Sequence, residues 1–405
     1  MNVLIADTLE EAARARLRGI GCHVDDRPKT TPQELPAALA ETEAEVLIVR
    51  STRVDAAAVR ATPRLKLIVR AGAGVDTIDV AAASAAGVFV ANCPGRNAAA
   101  VAELTWGLIL ACDRRIPDQV IDLRAGRWNK AGYSKAEGLK ERYLGIIGMG
   151  TIGLEVARRG FAFGMEVVAW SPSLDRERAE ELGVRRAGSA YEVAAQSDVI
   201  SLHVAATEDT HHLVDDGFLE VVKPGSILIN TSRGSVIDEE ALLWAIEEKG
   251  LRVGLDVYEE EPSASAGAID RPILKSPHVL GTHHVGASTN QAQEAIALEA
   301  ARVVEEFQET GMPPNAVNRE SRAPAAALLT VRHFNRPGVL AKIFRVLGEA
   351  DINVEEMDNM LYEGRQAACA RIQLARAPSP DELEALCGAS EHIVGLDVKD
   401  LDDEL

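Results

Sequence analysis

A chain of 405 residues with 47% hydrophobic content is long enough for two or three domains that each bury a core. Its formal charge of −19 excludes a nucleic-acid partner, because phosphate backbones are met by a basic face, and a small anionic ligand would have to find local arginines. No apolar run approaches a membrane span of ~18 residues, no leader precedes the first strand, and the five scattered cysteines suit reduced thiols, so a cytoplasmic protein without membrane contact is expected.

In chain order, residues 3–6, 46–49, 65–69 and 88–91 are short apolar runs separated by alanine-rich helical stretches. Runs apolar on both faces read as parallel strands covered by helices, giving a small α/β domain. Residues 92–97 (Asn-Cys-Pro-Gly-Arg-Asn) break the pattern and set a first boundary before a long helix beginning near Ala98. Alternation restarts with strands predicted at 144–147, 166–170, 199–203, 227–230, 253–257 and 279–282, which suit a second doubly wound, Rossmann-like parallel sheet. A helix over 291–309 follows. Pro313-Pro314 and residues 319–324 then read as linker, because adjacent prolines cannot continue a helix. The remainder runs strand, helix, strand, strand, helix, strand over 328–331, 338–350, 354–360, 368–374, 380–388 and 393–398, a βαββαβ order that implies a ferredoxin-like domain. The expected organisation is a discontinuous substrate domain at 1–97 and 286–318, a dinucleotide domain at 98–285, a linker at 319–327 and a small C-terminal domain at 328–405.

Gly148-Met149-Gly150-Thr151-Ile152-Gly153 follows one of the apolar strands and opens a helix. There the first glycine permits a tight turn, the second lets backbone approach a pyrophosphate, and the third packs helix on strand. Amides at the helix start, at Thr151 and Ile152, favour an anion. A plain glycine-rich turn would carry the same residues, but its position between strand and helix favours a dinucleotide. The acid expected about 20 residues further on, to hold the ribose, is absent. Ser171 stands there, Asp175 comes late, and Arg176 and Arg178 either meet a 2′-phosphate or line a solvated helix face. NAD is the expected cofactor, and NADP stays open.

Three later segments put polar residues at the carboxyl ends of predicted strands, where open α/β folds bind ligands: Asn230-Thr231-Ser232-Arg233-Gly234, residues 256–262 and residues 282–289. An arginine can hold a carboxylate in a two-pronged fork, a histidine can accept a hydroxyl proton, and a carboxylate can orient that imidazole. Read singly, Arg233 is a surface charge, Glu261 one of three solvated glutamates and His284 a loop histidine. Read together, they suit the oxidation of a 2-hydroxy acid.

These segments and the glycine fingerprint resemble the D-isomer-specific 2-hydroxyacid dehydrogenase family over the first ~315 residues, enough for two α/β domains. The resemblance implies that Arg233 binds the substrate carboxylate and polarises the C2 oxygen, that His284 is the general acid and base, and that Glu261 pairs with it. Thr282-His283-His284 departs from the family's commoner proline before the catalytic histidine, and His284 is chosen because it directly precedes Val285-Gly286-Ala287. Cofactor contacts are implied at Gly148, Gly150, Thr151, Ile152, Gly153, Ser171, His203, Val204, Ala205, Thr210, Thr231, Ser232, Asp256 and Gly286, with no metal.

Val49-Arg50-Ser51-Thr52 and Val69-Arg70-Ala71-Gly72-Ala73-Gly74 end two strands of the first domain. A guanidinium beside a glycine turn with free amides makes an anion cradle, although both arginines could instead pair with acids. The segments resemble family members that act on D-3-phosphoglycerate, which implies Arg50, Ser51, Arg70, Ala71, Gly72 and Asn97 as contacts for a phosphorylated hydroxy acid. His333-Phe334-Asn335-Arg336-Pro337-Gly338 and Asp351-Ile352-Asn353-Val354 resemble an ACT domain. That likeness implies L-serine as an effector held by His333, Asn335 and Asn353, while Asn335 and Pro337 could equally just cap and start a helix. A homodimer or homotetramer is expected. The function implied is oxidation of 3-phospho-D-glycerate to 3-phosphohydroxypyruvate, the entry step to serine. A glyoxylate or hydroxypyruvate reductase, or a nucleotide-sensing corepressor-like binding protein, are the other readings.

Overall fold

The structure is a computed structural model that describes residues 1–262, 267–320 and 325–401. It divides into two compact units, Met1–Asn318 and Arg319–Leu405. Residues 321–324 of the expected linker and 402–405 of the expected C-terminal domain lie outside the described residues.

The first unit holds two parallel sheets. One is built from β1 (Asn2–Ile5), β2 (His23–Asp26), β3 (Val46–Val49), β4 (Leu67–Arg70) and β5 (Phe89–Ala91), in the order β2-β1-β3-β4-β5. Successive residues feed opposite faces: Val3, Ile5, Val46 and Ile48 enter one buried cluster, and Leu4, Ala6, Leu47 and Val49 another. That two-sided burial is why these strands read as continuous apolar runs. β2 was not predicted, because His-Val-Asp-Asp has one apolar residue and an edge strand needs no fully buried face. β4 starts two residues later than expected, with Leu65 buried in the preceding turn.

The other sheet holds β6 (Tyr143–Ile147), β7 (Glu166–Trp170), β8 (Arg185–Arg186), β9 (Val199–Leu202), β10 (Ile227–Asn230), β11 (Arg252–Leu255) and β12 (Val279–Gly281). Their order is β12-β11-β10-β9-β6-β7-β8, all parallel, so the winding reverses between β6 and β9. Seven strands replace the predicted six; β8 is only two arginines long and has no apolar signature. The chain crosses between the sheets twice. After the second crossing, helix Asn290–Thr310 returns to the first sheet and buries Ile296, Ala297, Ala300, Val304 and Phe307 beside β1 and β3. Pro313-Pro314, read from sequence as linker, lead into residues 315–318, which complete the open edge of β5 within the first unit. The Val317 amide donates to the Val90 carbonyl at 2.8 Å, and the Asn318 side chain accepts from the Val90 amide and donates to the Val88 carbonyl.

The second unit has an antiparallel sheet of β13 (Ala327–Phe334), β14 (Val354–Leu361), β15 (Ala367–Leu374) and β16 (Ile393–Asp400), ordered β14-β15-β13-β16. Helices Val339–Glu349 and Pro380–Gly388 complete the βαββαβ sequence, and Ile343, Leu347 and Leu386 pack on Leu329, Val331, Ile372 and Leu374. Among the described residues no helix is long and apolar enough to cross a membrane.

Candidate active site

The glycine fingerprint sits at the switch point. Gly148 has φ +100, and a Cβ there would lie 2.4 Å from the His203 carbonyl oxygen at the end of β9, so only glycine lets the two strand ends approach. A Cβ on Gly153 would lie 2.1 Å from the Gly148 carbonyl oxygen, which fixes the close packing of helix Thr151–Ala162 on its strand. A Cβ on Gly150, by contrast, would meet nothing within 4 Å. The chain therefore offers open space at the helix start where backbone can approach a pyrophosphate, and the residues fit a bound dinucleotide.

Among the other expected cofactor contacts, His203 is held neutral: burial pushes its imidazole down to about 3, its Nε2 shares a 2.8 Å hydrogen bond with the Ser201 hydroxyl, and its Nδ1 is buried without a partner. Val204 and Ala205 follow on the same loop, where the Thr210 hydroxyl donates to the Ala205 carbonyl at 2.6 Å. Thr231 and Ser232 turn their hydroxyls inward, to Thr105 at 3.0 Å and to the Asn230 side-chain oxygen at 2.7 Å.

Asn230 organises the loop after β10. Its side-chain oxygen also accepts the Ser232 amide, and its Nδ2 donates to the Arg233 carbonyl at 2.8 Å. The next residue, Gly234, packs against backbone after β11: a Cβ would fall 1.9 Å from the Tyr258 carbonyl carbon. That contact brings the Arg233 loop against the turn carrying Glu259, Glu260 and Glu261. Glu259 meets His212 Nε2 at 2.8 Å and shares Arg271 with Glu260, which accepts from its Nη1 at 2.7 Å, whereas Glu261 meets His284 Nδ1 at 2.7 Å. Both histidines of this turn are exposed, and it is His284 that joins the network.

His284 is held by its backbone. Its amide donates to the Asp256 carbonyl at 2.8 Å, while the Asp256 carboxylate accepts the Thr282 hydroxyl and the amides of Val285 and Gly286 at 2.6, 2.9 and 2.8 Å. Asp256, expected as a cofactor contact, thus has both oxygens engaged in anchoring this turn. His284 adopts φ +52, in the left-handed region that ordinary residues seldom occupy. Burial alone would raise the Glu261 carboxyl, but the hydrogen bond and charge of His284, the Tyr258 amide and the charge of Arg233 together hold it below its ordinary range. An ionised Glu261 is acceptor only, so Nδ1 carries the proton and Nε2 is left to take one.

Opposite lies the turn after β4. Arg70 folds back over Gly72, where a Cβ would sit 1.4 Å from its Nη1. Burial, and then the like charge of Arg233, push the Arg70 guanidinium below its usual value, and its Nε is buried without a hydrogen-bond partner. Arg233 lies over Gly74 and directs Nε and Nη2 to the Asp76 carboxylate, both at 2.9 Å, across the cleft between the two sheets. The Asn92 side chain and Cys93 amide, from the first crossing, donate to the carbonyls of Ala73 at 2.6 Å and Gly72 at 2.9 Å and brace the turn. Asn97, from the same crossing, has its side-chain oxygen buried and unpartnered. Asp7, which sequence reading missed, fills the loop after β3: it accepts the amides of Arg50, Ser51 and Thr52 at 2.6, 3.0 and 3.0 Å. Ser51 therefore does not offer its amide to a substrate. Arg233, Glu261, His284 and Arg70 converge on one cleft, and Arg50 is near enough for its charge to act on Arg70.

The three expected effector residues do not meet within one chain. His333 is the last core-facing residue of β13 and bonds the Phe334 carbonyl at 2.9 Å, and Asn335 donates to the Arg365 carbonyl at 3.0 Å. Asn353 precedes Val354, which pairs with Leu374 beside Ala327, at the other end of the sheet. Six residues of strand separate the ends, about 20 Å.

The description "D-isomer specific 2-hydroxyacid dehydrogenase, NAD binding domain" matches residues 106–286, and an ACT domain matches 327–358. The chain is 38% identical over 320 residues to a D-3-phosphoglycerate dehydrogenase of Methanocaldococcus jannaschii, covering 78% of this chain and 59% of that one. It is 41% identical to a hydroxypyruvate reductase of Thermotoga maritima, covering 67% of this chain and 86% of that one. A glyoxylate reductase structure from Paecilomyes thermophila superposes with a TM-score of 0.70 at 28% identity, covering 78% of this chain and 98% of that chain. Two parallel α/β sheets with a glycine fingerprint at the switch point define a dinucleotide-dependent oxidoreductase scaffold. With these relatives, the chain belongs to the D-isomer-specific 2-hydroxyacid dehydrogenase family. It spans about three fifths of the length of the D-3-phosphoglycerate dehydrogenases it matches.

Proposed function

We propose that the chain oxidises 3-phospho-D-glycerate to 3-phosphohydroxypyruvate. The observation that carries this reading is the convergence of a proton-accepting pair, His284 and Glu261, with two guanidiniums, Arg233 and Arg70, on one cleft. A 2-hydroxy acid that carries a phosphate presents two anionic ends, and two cations held close together at a cost in repulsion suit it. Arg233 exchanges its Asp76 partner for the substrate carboxylate and polarises the C2 oxygen. His284 Nε2 takes the C2 hydroxyl proton, and Glu261 stabilises the imidazolium. The dinucleotide, when bound, supplies the acceptor for the hydride from C2. The amides at the start of helix Thr151–Ala162 would hold its pyrophosphate in the open space beside Gly150, and closure about the two chain crossings excludes water.

The test is turnover of 3-phosphohydroxypyruvate, glyoxylate and hydroxypyruvate with NADH and NADPH. Preference for an unphosphorylated acid would replace this reading with the reductase activity suggested by the Thermotoga relative, and cofactor binding without any turnover would leave a binding protein. Arg50→Ala and Arg70→Ala should each raise KM for the phosphorylated substrate roughly 10- to 100-fold, the equivalent of a lost charged hydrogen bond. Glyoxylate reduction should change little.

L-Serine as effector fits two ACT units better than one. A second copy running antiparallel would bring its Asn353 to the first chain's His333 and Asn335. His333→Ala and Asn353→Ala should each abolish serine binding in a calorimeter, and mixing the two variants should restore one intact site per mixed dimer. No recovery would remove the shared-site reading. A dimer also has an apolar surface available: helix Ile116–Arg124 buries none of its residues, and Ile121, Leu123 and nearby Trp128 are 60%, 57% and 80% exposed. Cys93 and Cys112, with thiols pushed up to about 12 by burial, suit a reducing cytoplasm.

A further inference from the structure

The segment beyond β7 is where a sheet of this order meets the adenosine ribose, and an acid there would accept the ribose hydroxyls and repel a 2′-phosphate. β7 is joined to the fingerprint directly, the Gly148 amide donating to the Trp170 carbonyl at 2.8 Å. The next residue is Ser171, whose hydroxyl lies 3.4 Å from that of Ser173. The one carboxylate of this loop, Asp175, is turned into the start of helix Arg176–Leu182, where it accepts the Arg178 amide at 2.7 Å. Cations surround the loop instead. Arg186, on β8 and in register with Ala169 of β7, reaches over it and donates Nε to the Leu174 carbonyl at 2.7 Å. Among the described residues no carboxylate pairs with Arg186. Glu192 feels its charge but spends its oxygens on the Gly188 amide at 2.7 Å and the Gln196 side chain at 3.0 Å. Arg176 is paired only with Glu180 on its own helix and is 90% exposed, a partnership that water makes weak.

We infer that this chain accepts a 2′-phosphorylated dinucleotide, NADP(H), beside NAD(H), through the hydroxyls of Ser171 and Ser173 and the guanidinium of Arg186. The inference rests on the dinucleotide reading of the fingerprint above. A phosphate dianion gains two hydroxyl donors and a guanidinium fork already positioned by the Leu174 carbonyl, and it meets no facing acid. Arg176 can leave Glu180 to join it. The unmodified ribose of NAD loses its usual carboxylate partner and keeps two hydroxyls, so neither dinucleotide is excluded.

The full chain is titrated calorimetrically with 5′-ADP and with 2′,5′-ADP, which separates ribose recognition from turnover. Affinities within ~tenfold of each other, or tighter for 2′,5′-ADP, are expected. Ser171→Asp should weaken 2′,5′-ADP by at least ~tenfold without weakening 5′-ADP, and Arg186→Gln should weaken 2′,5′-ADP alone. Binding of 5′-ADP with 2′,5′-ADP more than ~100-fold weaker would overturn the inference and leave the dinucleotide site standing. Equal losses for both ligands in the two variants would overturn it as well. If neither nucleotide binds, the dinucleotide reading fails and takes this one with it.

Discussion

His284→Gln should lower kcat by roughly 10²–10⁴, the range that a positioned general base contributes, with cofactor affinity unchanged. Glutamine can still fill the place beside Glu261, but it has no nitrogen able to accept the C2 hydroxyl proton. Glu261→Gln should reach a comparable loss by a different route. The native carboxylate is held ionised below the ordinary carboxylate range and can only accept, so it fixes the proton on Nδ1. An amide could present its NH₂ instead, favouring the tautomer with the proton on Nε2, where no base remains. The pH behaviour follows with the same sign. A depressed Glu261 contributes stability that is present above its unfolded range and is lost as pH falls through its lower folded value. Weakening of the pair therefore belongs to the acid side of the stability profile, and Glu261→Gln should flatten that side in thermal melts. Steady-state kinetics with a fluorescence titration of cofactor would check both variants. A His284→Gln enzyme with near-native kcat would remove this histidine from the chemistry.

What could be read from sequence divides along physical lines. Parallel strands buried on both faces announce themselves as apolar runs, and so did the turn at Gly148, since Gly148 and Gly153 answer to steric demands within the protein that a side chain would violate, and Gly150 leaves the space open. Elements without an interior were invisible: β2 has one apolar residue at a sheet edge, and β8 is two arginines. The site was legible as residue types at strand ends, because arginine, glutamate and histidine are chosen for their chemistry. What holds them was not. Asp256 looks like a ligand-facing acid until its oxygens are found anchoring residues 282–286, and Asp7 lies in sequence far from the amides of residues 50–52 that it binds. The effector residues were legible only as residue types, because sequence nearness around one helix says nothing about which end of the sheet each occupies, and within one chain His333 and Asn353 lie at opposite ends.

The other large effect expected comes from a residue with no chemistry of its own. Gly234→Ala places a methyl 1.9 Å from the Tyr258 carbonyl carbon, 2.0 Å from its oxygen and 2.4 Å from the Glu259 nitrogen. All three are backbone atoms, so no side chain can swing aside and the two loops must separate. Overpacking of this kind costs ~1–3 kcal/mol and should appear as a lowered Tm. The larger consequence is geometric. Arg233 immediately precedes the substitution and Glu261 follows the displaced backbone by two residues, so the fork that holds the carboxylate moves relative to the pair that takes the proton. A displacement of about 1 Å at reacting groups is enough to cost ~10²-fold in rate, and kcat/KM should fall by at least that much. Gly150→Ala is the control: its methyl would meet nothing within 4 Å in the protein, so Tm should hold while cofactor affinity falls because the space it fills is the one a pyrophosphate needs. If Gly234→Ala kept both its Tm and its turnover, close approach of the two loops could not be what sets the distance between Arg233 and the His284–Glu261 pair.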